Sequence, residues 1–250
     1  LVRSRGLGDV YKRQGKTYVF HLRPGLKWSD GHPLTSEDFL FYYEDVLRNK
    51  SLFPVFLAWL ATDNEPARVT APDEYTVVFE FSKPYGIFLE MLCYRGYELL
   101  APKHYLRRFH EAYAPQEELE RKARERGLRT WFGLFRLKND INDNPELPTC
   151  RPFQIKVPLP STRIVAERNP YYWKVDPEGN QLPYIDEVVY TDVQTSEVAT
   201  FRAMAGEVDF QARRIDASNY ALFMENRDRG GFRVLRDTNP EALVCYLNQC

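Results

Sequence analysis

Histidines, cysteines and carboxylates are the side chains of this sequence that could do chemistry, and their spacing argues against catalysis. His104 and His110 lie six residues apart, whereas two metal ligands on one helix face are typically four residues apart. The His110-Glu111 pair is not followed by the second histidine of a zinc-protease motif. The sequence also contains no G-x-S-x-G nucleophile elbow, no P-loop and no dinucleotide fingerprint. We therefore expect no catalytic residues, no metal site and no cofactor.

The four cysteines leave the redox compartment undecided. They form neither a C-x-x-C pair nor a metal-finger pattern; they are Cys93, Cys150, Cys245 and Cys250. If Cys245 and Cys250 share one strand, they lie about 16 Å apart on opposite faces of it. A disulfide requires Cα atoms within about 7 Å, so these two residues would not bridge each other there.

The composition is that of a folded protein with a balanced charge. The 250 residues are 44% hydrophobic and 28% charged, and the net charge is -1. This content is sufficient to bury one or two cores, and it favours neither nucleic-acid binding nor an acidic disordered tail. The 16 Tyr, 16 Phe and 4 Trp suit a packed core and a ligand cleft equally. The longest apolar stretches are too short to span a bilayer.

Residues 1–14 differ in character from the rest of the chain. Four basic residues oppose one acidic residue there, Asp9, so this segment has a net charge of +3 and the remainder -4. It lacks the apolar core of a signal peptide and any sustained periodicity. The segment resembles translated sequencing-adaptor sequence, and a genuine basic N-terminal arm is the alternative. We expect it to be a non-native or disordered leader that takes no part in the fold.

Strand-like and helix-like periodicities interleave along the chain. Strands are expected at 17–22, 67–70, 75–81, 153–157, 163–168, 187–193, 206–210 and 243–247, with an extended piece at 233–236. Helices are expected at 36–48, 87–93, 117–126, 196–204 and 217–224, and another is expected to begin within 102–109. Thr35 is expected to cap the helix at 36–48, with Asp38 as its capping partner. Residues 139–151, rich in Asn, Asp and Pro, are expected to be a connector. The fold class is therefore α/β or mixed α+β.

The W-S-D-G turn at residues 28–31 has the residue types of a site, but its chemistry is local. We expect the Asp30 side chain to accept hydrogen bonds from backbone amides, and Gly31 to adopt a positive φ angle. Trp28 is expected to pack beneath the turn.

Three blocks of sequence occur in a characteristic order. They are YVFHLRPGLKWSDG at 18–31, continued by LTSEDF at 34–39; RIVAERNPYYW at 163–173; and LPYIDEV at 182–188, followed by FRAMAGEVD at 201–209. Together these blocks resemble the family 5 extracellular solute-binding proteins, which include oligopeptide-, dipeptide- and nickel-binding receptors. The resemblance covers approximately residues 15–248.

The resemblance implies one lobe of a two-lobed receptor with a type II periplasmic-binding-protein fold, the second lobe being absent. Residues 15–146 would form the peripheral subdomain of this first lobe, which would place the turn at 28–31 away from the ligand. Residues 147–244 would form the ligand-side part of the lobe, and 245–250 would begin the crossing to the second lobe. This interpretation also accounts for an apolar strand at 243–247 so close to the last residue.

The resemblance implies a substrate-binding component of an ABC importer and not an enzyme. Such a receptor captures an oligopeptide or a related solute outside the cytoplasmic membrane and delivers it to a membrane permease. We expect a monomer, in the periplasm or anchored to the cell surface as a lipoprotein, that does not bind nucleic acid. Two alternatives stay open: a fragment of a hydrolytic or carbohydrate-active α/β enzyme, and an interaction module that has reused the fold.

Five residues are candidates for contact with the ligand: Thr149, Cys150, Arg151, Tyr246 and Asn248. The first three match a position where relatives usually have Thr-Gly-Pro-Tyr, so Cys150 and Arg151 depart from the family pattern. Tyr246 and Asn248 lie at the expected crossing between lobes, and packing in the core or hinge is the alternative role for each. Cys245 is a candidate partner for a cysteine of the second lobe.

Overall fold

A computed structural model describes residues 15–235, which mix helices and strands as the sequence predicts. The chain divides after Tyr190 into two compact units. The leader expected at 1–14 and the strand expected at 243–247 lie outside the described residues.

An antiparallel three-stranded sheet begins the first unit. Its strands are β1 (Thr17–His21), β4 (Arg68–Asp73) and β5 (Thr76–Glu80), in the order β1-β5-β4, and the short strands β2 (Ala61–Thr62) and β3 (Glu65–Pro66) pair separately. The strand and the hairpin expected in these regions are confirmed. Tyr18 and Phe20 of β1 are both buried, because residues two apart in a strand project from the same face.

A second three-stranded sheet lies later in the chain. It consists of β6 (Phe153–Val157), β7 (Arg163–Arg168) and β8 (Glu187–Thr191), in that order. Strands β6 and β7 pair antiparallel, which confirms the expected hairpin. Val165 and Ala166 are the buried residues of β7.

The α-helices of the described residues are short. They are α1 (Ser36–Leu40), α2 (Phe88–Arg95), α3 (Lys103–Leu106), α4 (Gln116–Glu125), α5 (Trp131–Lys138), α6 (Ser196–Met204) and α7 (Tyr220–Gly230). Helix α1 continues as a π-helix from Phe41 to Leu47, so the helix expected at 36–48 is present with a wider second half.

Helix α5 is an element that the sequence analysis does not predict, although its sequence contains the necessary pattern. The Thr130 Oγ1 atom accepts a hydrogen bond from the Gly133 N–H at 3.2 Å, which caps the first turn. Trp131, Leu134 and Phe135 are buried, and their three- and four-residue spacing places them on one helix face.

The strand predicted at 206–210 is wrong. The N–H groups of Gly206 and Glu207 donate to the carbonyls of Ala203 and Arg202, and so they close the end of α6 instead of pairing with a strand. Phe210 is largely exposed. The capping requirement of the preceding helix therefore overrides the alternation of apolar residues.

The core of the first unit is organised around the fully buried ring of Phe88. Six aromatic rings lie with their centroids between 4.8 and 6.4 Å from it: Tyr18, Phe20, Trp59, Phe79, Phe81 and Tyr85. Most of these pairs are tilted or edge-to-face, the arrangement that the ring quadrupoles favour. This cluster packs α2 against β1 and β5.

Candidate ligand-binding cleft

The W-S-D-G turn has the conformation that its sequence predicts. Gly31 has a φ of 85°, and the Asp30 Oδ1 atom accepts a hydrogen bond from the His32 N–H at 3.1 Å. Trp28 is buried beneath the turn. These contacts confirm the conformation that was expected for the turn.

The carboxylate of Asp38 connects this turn to two helices. Its Oδ2 atom accepts hydrogen bonds from the Thr35 N–H at 3.0 Å and from the Trp28 Nε1–H at 3.1 Å. Its Oδ1 atom accepts from the Lys103 N–H at 3.0 Å, at the start of α3. Burial raises the pKa of Asp38, while the three hydrogen bonds oppose that rise. The expected capping pair is thus confirmed, and it also fixes Trp28.

The end of the connector, around Thr149, is held by the same turn. The Ser29 N–H donates to the Thr149 carbonyl at 2.9 Å, and the Thr149 N–H donates to Ser29 Oγ at 3.0 Å. The Thr149 hydroxyl oxygen accepts from the Arg151 N–H at 3.0 Å. Both hydrogen-bonding groups of the Thr149 backbone are therefore satisfied within the protein, which fixes the position of the connector.

Asn169 secures the connector from the other side. It is 0% exposed, and its Nδ2 atom donates to the carbonyls of Thr149 at 3.2 Å and Arg151 at 3.0 Å. Its Oδ1 atom accepts from the Tyr171 N–H at 2.9 Å, and its own N–H donates to the Pro152 carbonyl at 2.8 Å. One buried amide thus uses both donors and its acceptor to set the shape of the loop.

The first two sequence blocks contact each other directly. The Lys27 Nζ atom lies 5.3 Å from the centre of the Tyr171 ring, and the Arg23 guanidinium lies 5.8 Å from that of Trp173. Arg23 also donates to the Trp173 carbonyl at 3.3 Å. Gly31 lies against the Tyr171 ring, so closely that a Cβ atom there would be 3.1 Å from the Tyr171 hydroxyl.

We expect Gly31→Ala to lower the free energy of unfolding by about 2–3 kcal/mol. An alanine would have to adopt a φ of 85° and would press on the Tyr171 ring. Gly25→Ala is a matched control, because Gly25 has the same φ and no atom within 4 Å of its added Cβ. Urea unfolding should show a smaller loss for Gly25→Ala, and equal losses would show that the contact with Tyr171 contributes nothing.

The third block closes around the second one. The Arg168 N–H donates to the Asp186 carbonyl at 2.8 Å, and their side chains form an ion pair at 3.1 Å. The Gln181 side chain donates to the carbonyls of Pro170 and Tyr172, each at 2.8 Å. The block at 163–173 is therefore bonded on one side to residues of 18–31 and on the other to Gln181 and Asp186.

The loop at 176–184 contains Asp176, a carboxyl group whose pKa is shifted by its hydrogen bonds. Hydrogen bonds from the Tyr184 hydroxyl and from Asn180 lower the pKa of Asp176 to about 2. Because the folded-state pKa is depressed, this stabilisation is present above the ordinary value of 3.8 and is lost as the pH falls towards 2. In an NMR titration, we expect Tyr184→Phe to move this pKa back towards 3.8 and Tyr190→Phe to leave it unchanged. A wild-type value near 3.8 would contradict the expectation.

A cleft of about 390 Å³ opens beside the connector. Its lining comprises Trp28, Phe39, Tyr42, Gly96, Leu100, Pro102, Asn139, Ile141, Leu147, Pro148, Thr149, Cys150 and Arg151. Burial raises the pKa of the Cys150 thiol, which keeps it protonated at neutral pH. Arg151 is exposed, whereas Thr149 is buried. The arrangement can hold a small ligand, with an apolar wall and a cation beside it.

The structure brings together three of the five expected ligand-contacting residues. Thr149, Cys150 and Arg151 all line the cleft, whereas Tyr246 and Asn248 lie outside the described residues. Two residues that position the connector, Ser29 and Asn169, are not predicted from the sequence. Asn169 lies in the N-P-Y-Y-W block, but its bonds reach 18 to 20 residues back along the chain, which no local pattern reveals.

Two features are absent from residues 15–235. No group of three or more His, Cys, Asp or Glu side chains is placed to hold a metal ion in this part of the chain. None of the helices described there is long and apolar enough to cross a membrane.

The chain is similar in sequence to bacterial proteins that are named as periplasmic binding proteins. The chain is 31% identical over 200 residues to the periplasmic alpha-galactoside-binding protein of Rhizobium meliloti, which covers 80% of this chain and 26% of that protein. It is 24% identical over 220 residues to the periplasmic oligopeptide-binding protein OppA of Salmonella typhimurium, covering 82% and 34%.

Two solved structures are similar to the fold. An oligopeptide-binding protein OppA matches with a TM-score of 0.83 and 45% identity, over 89% of this chain and 35% of that one. The periplasmic binding protein MelB from Agrobacterium fabrum, solved with stachyose, matches with a TM-score of 0.62 and 26% identity, over 86% and 30%. This chain therefore spans only about a third of the length of such relatives.

The family assignment follows from a match along nearly the whole chain. A profile of the bacterial extracellular solute-binding proteins, family 5 Middle, matches residues 11–249. The region matched contains all three sequence blocks and the cleft that they position. The chain belongs to the family 5 bacterial extracellular solute-binding proteins.

Proposed function

We propose that the chain is part of the substrate-binding component of an ABC importer, and that it captures an oligopeptide or a related solute outside the cytoplasmic membrane. The observation that carries this proposal is the family match over residues 11–249. Relatives are named for binding oligopeptides or alpha-galactosides, and none of those named above is an enzyme. Delivery to membrane permease subunits, a monomeric state and a periplasmic or lipoprotein location belong to the same proposal.

The lobe assignment is also part of the proposal. Residues 15–146 would be the peripheral subdomain of the first lobe, 147–244 its ligand-side part, and 245–250 the start of the crossing. The connector at Thr149 would lie where these two subdomains meet. Its hydrogen bonds support this, because Thr149 bonds both to Ser29, which belongs to residues 15–146, and to Asn169, which belongs to residues 147–244.

The mechanism we propose is capture without covalent chemistry. Open and closed forms of such a receptor differ by a few kcal/mol, and a ligand that contacts both lobes shifts the population towards the closed form. The fixed connector would supply a preorganised wall on one side, which limits the ordering cost of binding. The remaining contacts would come from the second lobe.

A chimera tests the function. Residues 15–235 would replace the equivalent third of the OppA whose structure is 45% identical to this chain. We expect the folded chimera to bind a tripeptide such as tri-alanine in calorimetry with micromolar affinity or better, because only one wall of the cleft has been exchanged. A folded chimera that binds no peptide and no oligosaccharide would overturn the proposal.

The isolated chain should behave differently. We expect residues 1–250 alone to bind the same tripeptide with a Kd above about 1 mM, because a single wall provides too few contacts to offset the entropy of association. Micromolar binding in calorimetry would contradict the requirement for a second lobe.

A further inference from the structure

A second cleft lies at the end of α5. Its volume is about 490 Å³, within the range of about 300–1,000 Å³ that is usual for small-molecule sites. We propose that this cleft binds a free α-amino acid with an apolar side chain, and that Arg136 and Asp140 hold its two charged groups. Asn139 and Ile141 also line the cleft beside the connector, so the two clefts adjoin, but they share no other lining residue. The proposal is independent of the receptor function.

The apolar part of the lining comes from two separate segments of the chain. It consists of Val46, Leu52, Phe53, Phe135 and Ile141. Val46, Leu52 and Phe135 are buried, whereas Phe53 and Ile141 are half-buried and so remain partly open to a ligand. An apolar side chain that enters the cleft is removed from water, which favours binding.

The turn that carries Leu52 and Phe53 is fixed by Asn49. The N–H groups of Leu52 and Phe53 donate to the Asn49 carbonyl at 3.1 and 2.7 Å, and the Ser51 N–H donates to Asn49 Oδ1 at 2.9 Å. The Asn49 Nδ2 atom in turn donates to the Glu111 carboxylate at 2.7 Å. This wall is therefore already ordered, which lowers the entropic cost of binding a ligand.

Two opposite charges line the cleft. Arg136 lies in the last turn of α5, and Asp140 follows four positions later. The Arg136 Nη2 atom donates to the Leu52 carbonyl at 2.6 Å, and its guanidinium lies 5.8 Å from the centre of the Phe132 ring. The Asp140 Oδ1 atom accepts from the Asn142 N–H at 2.8 Å. In the described part of the chain these two side chains thus bond to the backbone and not to each other. A guanidinium has five N–H donors and a carboxylate has two oxygens, so both keep hydrogen-bonding capacity.

The spacing of these charges selects the class of ligand. Side chains four positions apart on a helix have Cβ atoms about 5–6 Å apart, and Arg136 and Asp140 are about one turn apart. A free α-amino acid carries its ammonium and carboxylate on one carbon, so both groups can reach this pair while the side chain enters the apolar part. A tripeptide carries the same charges at opposite ends of a longer chain. A ligand with a single charge would leave the other lining charge without a partner.

NMR of the isotope-labelled 250-residue chain tests the site with four probes. They are leucine, isocaproate, which lacks the ammonium, isoamylamine, which lacks the carboxylate, and tri-alanine. The amide resonances of Phe53 and Phe135 report this cleft, and that of Thr149 reports the cleft beside the connector. We expect leucine to shift the first two with a Kd of about 1 mM or lower. Each analogue with one charge should bind at least about tenfold more weakly, and tri-alanine should leave both resonances unchanged.

Substitutions assign each charge to its partner. Asp140→Asn keeps an acceptor for the Asn142 N–H but removes the charge, so the preference for leucine over isocaproate should vanish. Arg136→Gln should remove the preference for leucine over isoamylamine. Arg121→Gln is the matched control, because Arg121 pairs with Glu125 on the exposed surface of α4, and it should leave both preferences unchanged.

Several outcomes would overturn the proposal. Equal binding of leucine and either analogue to the wild type would do so, and this comparison requires no substitution that could disturb folding. A shift confined to Thr149, or no saturable shift at any of these amides, would do so as well. Preferences that persist in Asp140→Asn and Arg136→Gln would show that other groups hold the ligand. The chimera is measured separately, so none of these outcomes bears on the receptor function.

Discussion

Phe88→Ala is expected to lower the free energy of unfolding by about 3–5 kcal/mol, more than any other single substitution proposed for this unit. Phe88 is 0% exposed and contacts six aromatic rings from β1, β5 and the neighbouring turns. Alanine would leave a cavity that these rings cannot fill without departing from their edge-to-face geometry. Part of the loss is the transfer energy of the ring, and part is the cavity that remains.

Ile87→Ala is the matched control for this truncation. Ile87 precedes Phe88 in the chain, but it is 54% exposed, so its truncation should change the unfolding free energy by less than about 1 kcal/mol. All four tryptophans lie within residues 15–190, at Trp28, Trp59, Trp131 and Trp173, so tryptophan fluorescence during urea unfolding reports this unit. Equal losses for the two variants would show that the aromatic cluster is not the core that holds the unit together.

Local patterns in the sequence are sufficient to predict several elements. The turn at 28–31 follows from side-chain capping and from the glycine at its end, which are properties of four adjacent residues. The hairpins and most helices follow from periodicity in the same way. The family resemblance goes further, because three separated blocks carry more information than one, and the profile match confirms it.

Long-range contacts could not be predicted from these patterns. Ser29 and Thr149 are hydrogen-bonded although they lie 120 positions apart in the chain. No motif around either residue identifies the other as its partner. The cleft likewise depends on several distant segments that meet only after folding. The block at 163–173 is recognisable as a motif, but its role as the support of the connector becomes visible only through the bonds of Asn169.

The three blocks therefore have one physical explanation. The first contributes the turn that holds Thr149, and the second contributes Asn169 and the Tyr171 ring that lies against Gly31. The third contributes Asp186, whose carbonyl accepts from the Arg168 N–H and whose carboxylate pairs with the Arg168 side chain. The first and second blocks bond the connector directly, through Ser29 and Asn169, and the third block bonds the second. Together they set the position of the connector.

Asn169→Ala is expected to lower the free energy of unfolding by about 2–4 kcal/mol and to speed the alkylation of Cys150. The substitution removes both donors that hold the connector and leaves the Tyr171 N–H without its buried acceptor. The faster labelling distinguishes a released connector from a general loss of stability, since labelling of the exposed Cys93 should not change in the native state.

Asn169→Asp tests the same account through its pH dependence. The new carboxylate would face two carbonyl oxygens and would be buried, so its folded-state pKa would rise above the usual value of about 3.9. The destabilisation should therefore be largest at neutral pH and should diminish as the pH falls through that raised pKa. Asn142→Ala, at an exposed site in the same unit, should stay within about 0.5 kcal/mol of the wild type. A pH-independent loss for Asn169→Asp, or an Asn169→Ala variant as stable as the control, would mean that the amide does not hold the connector.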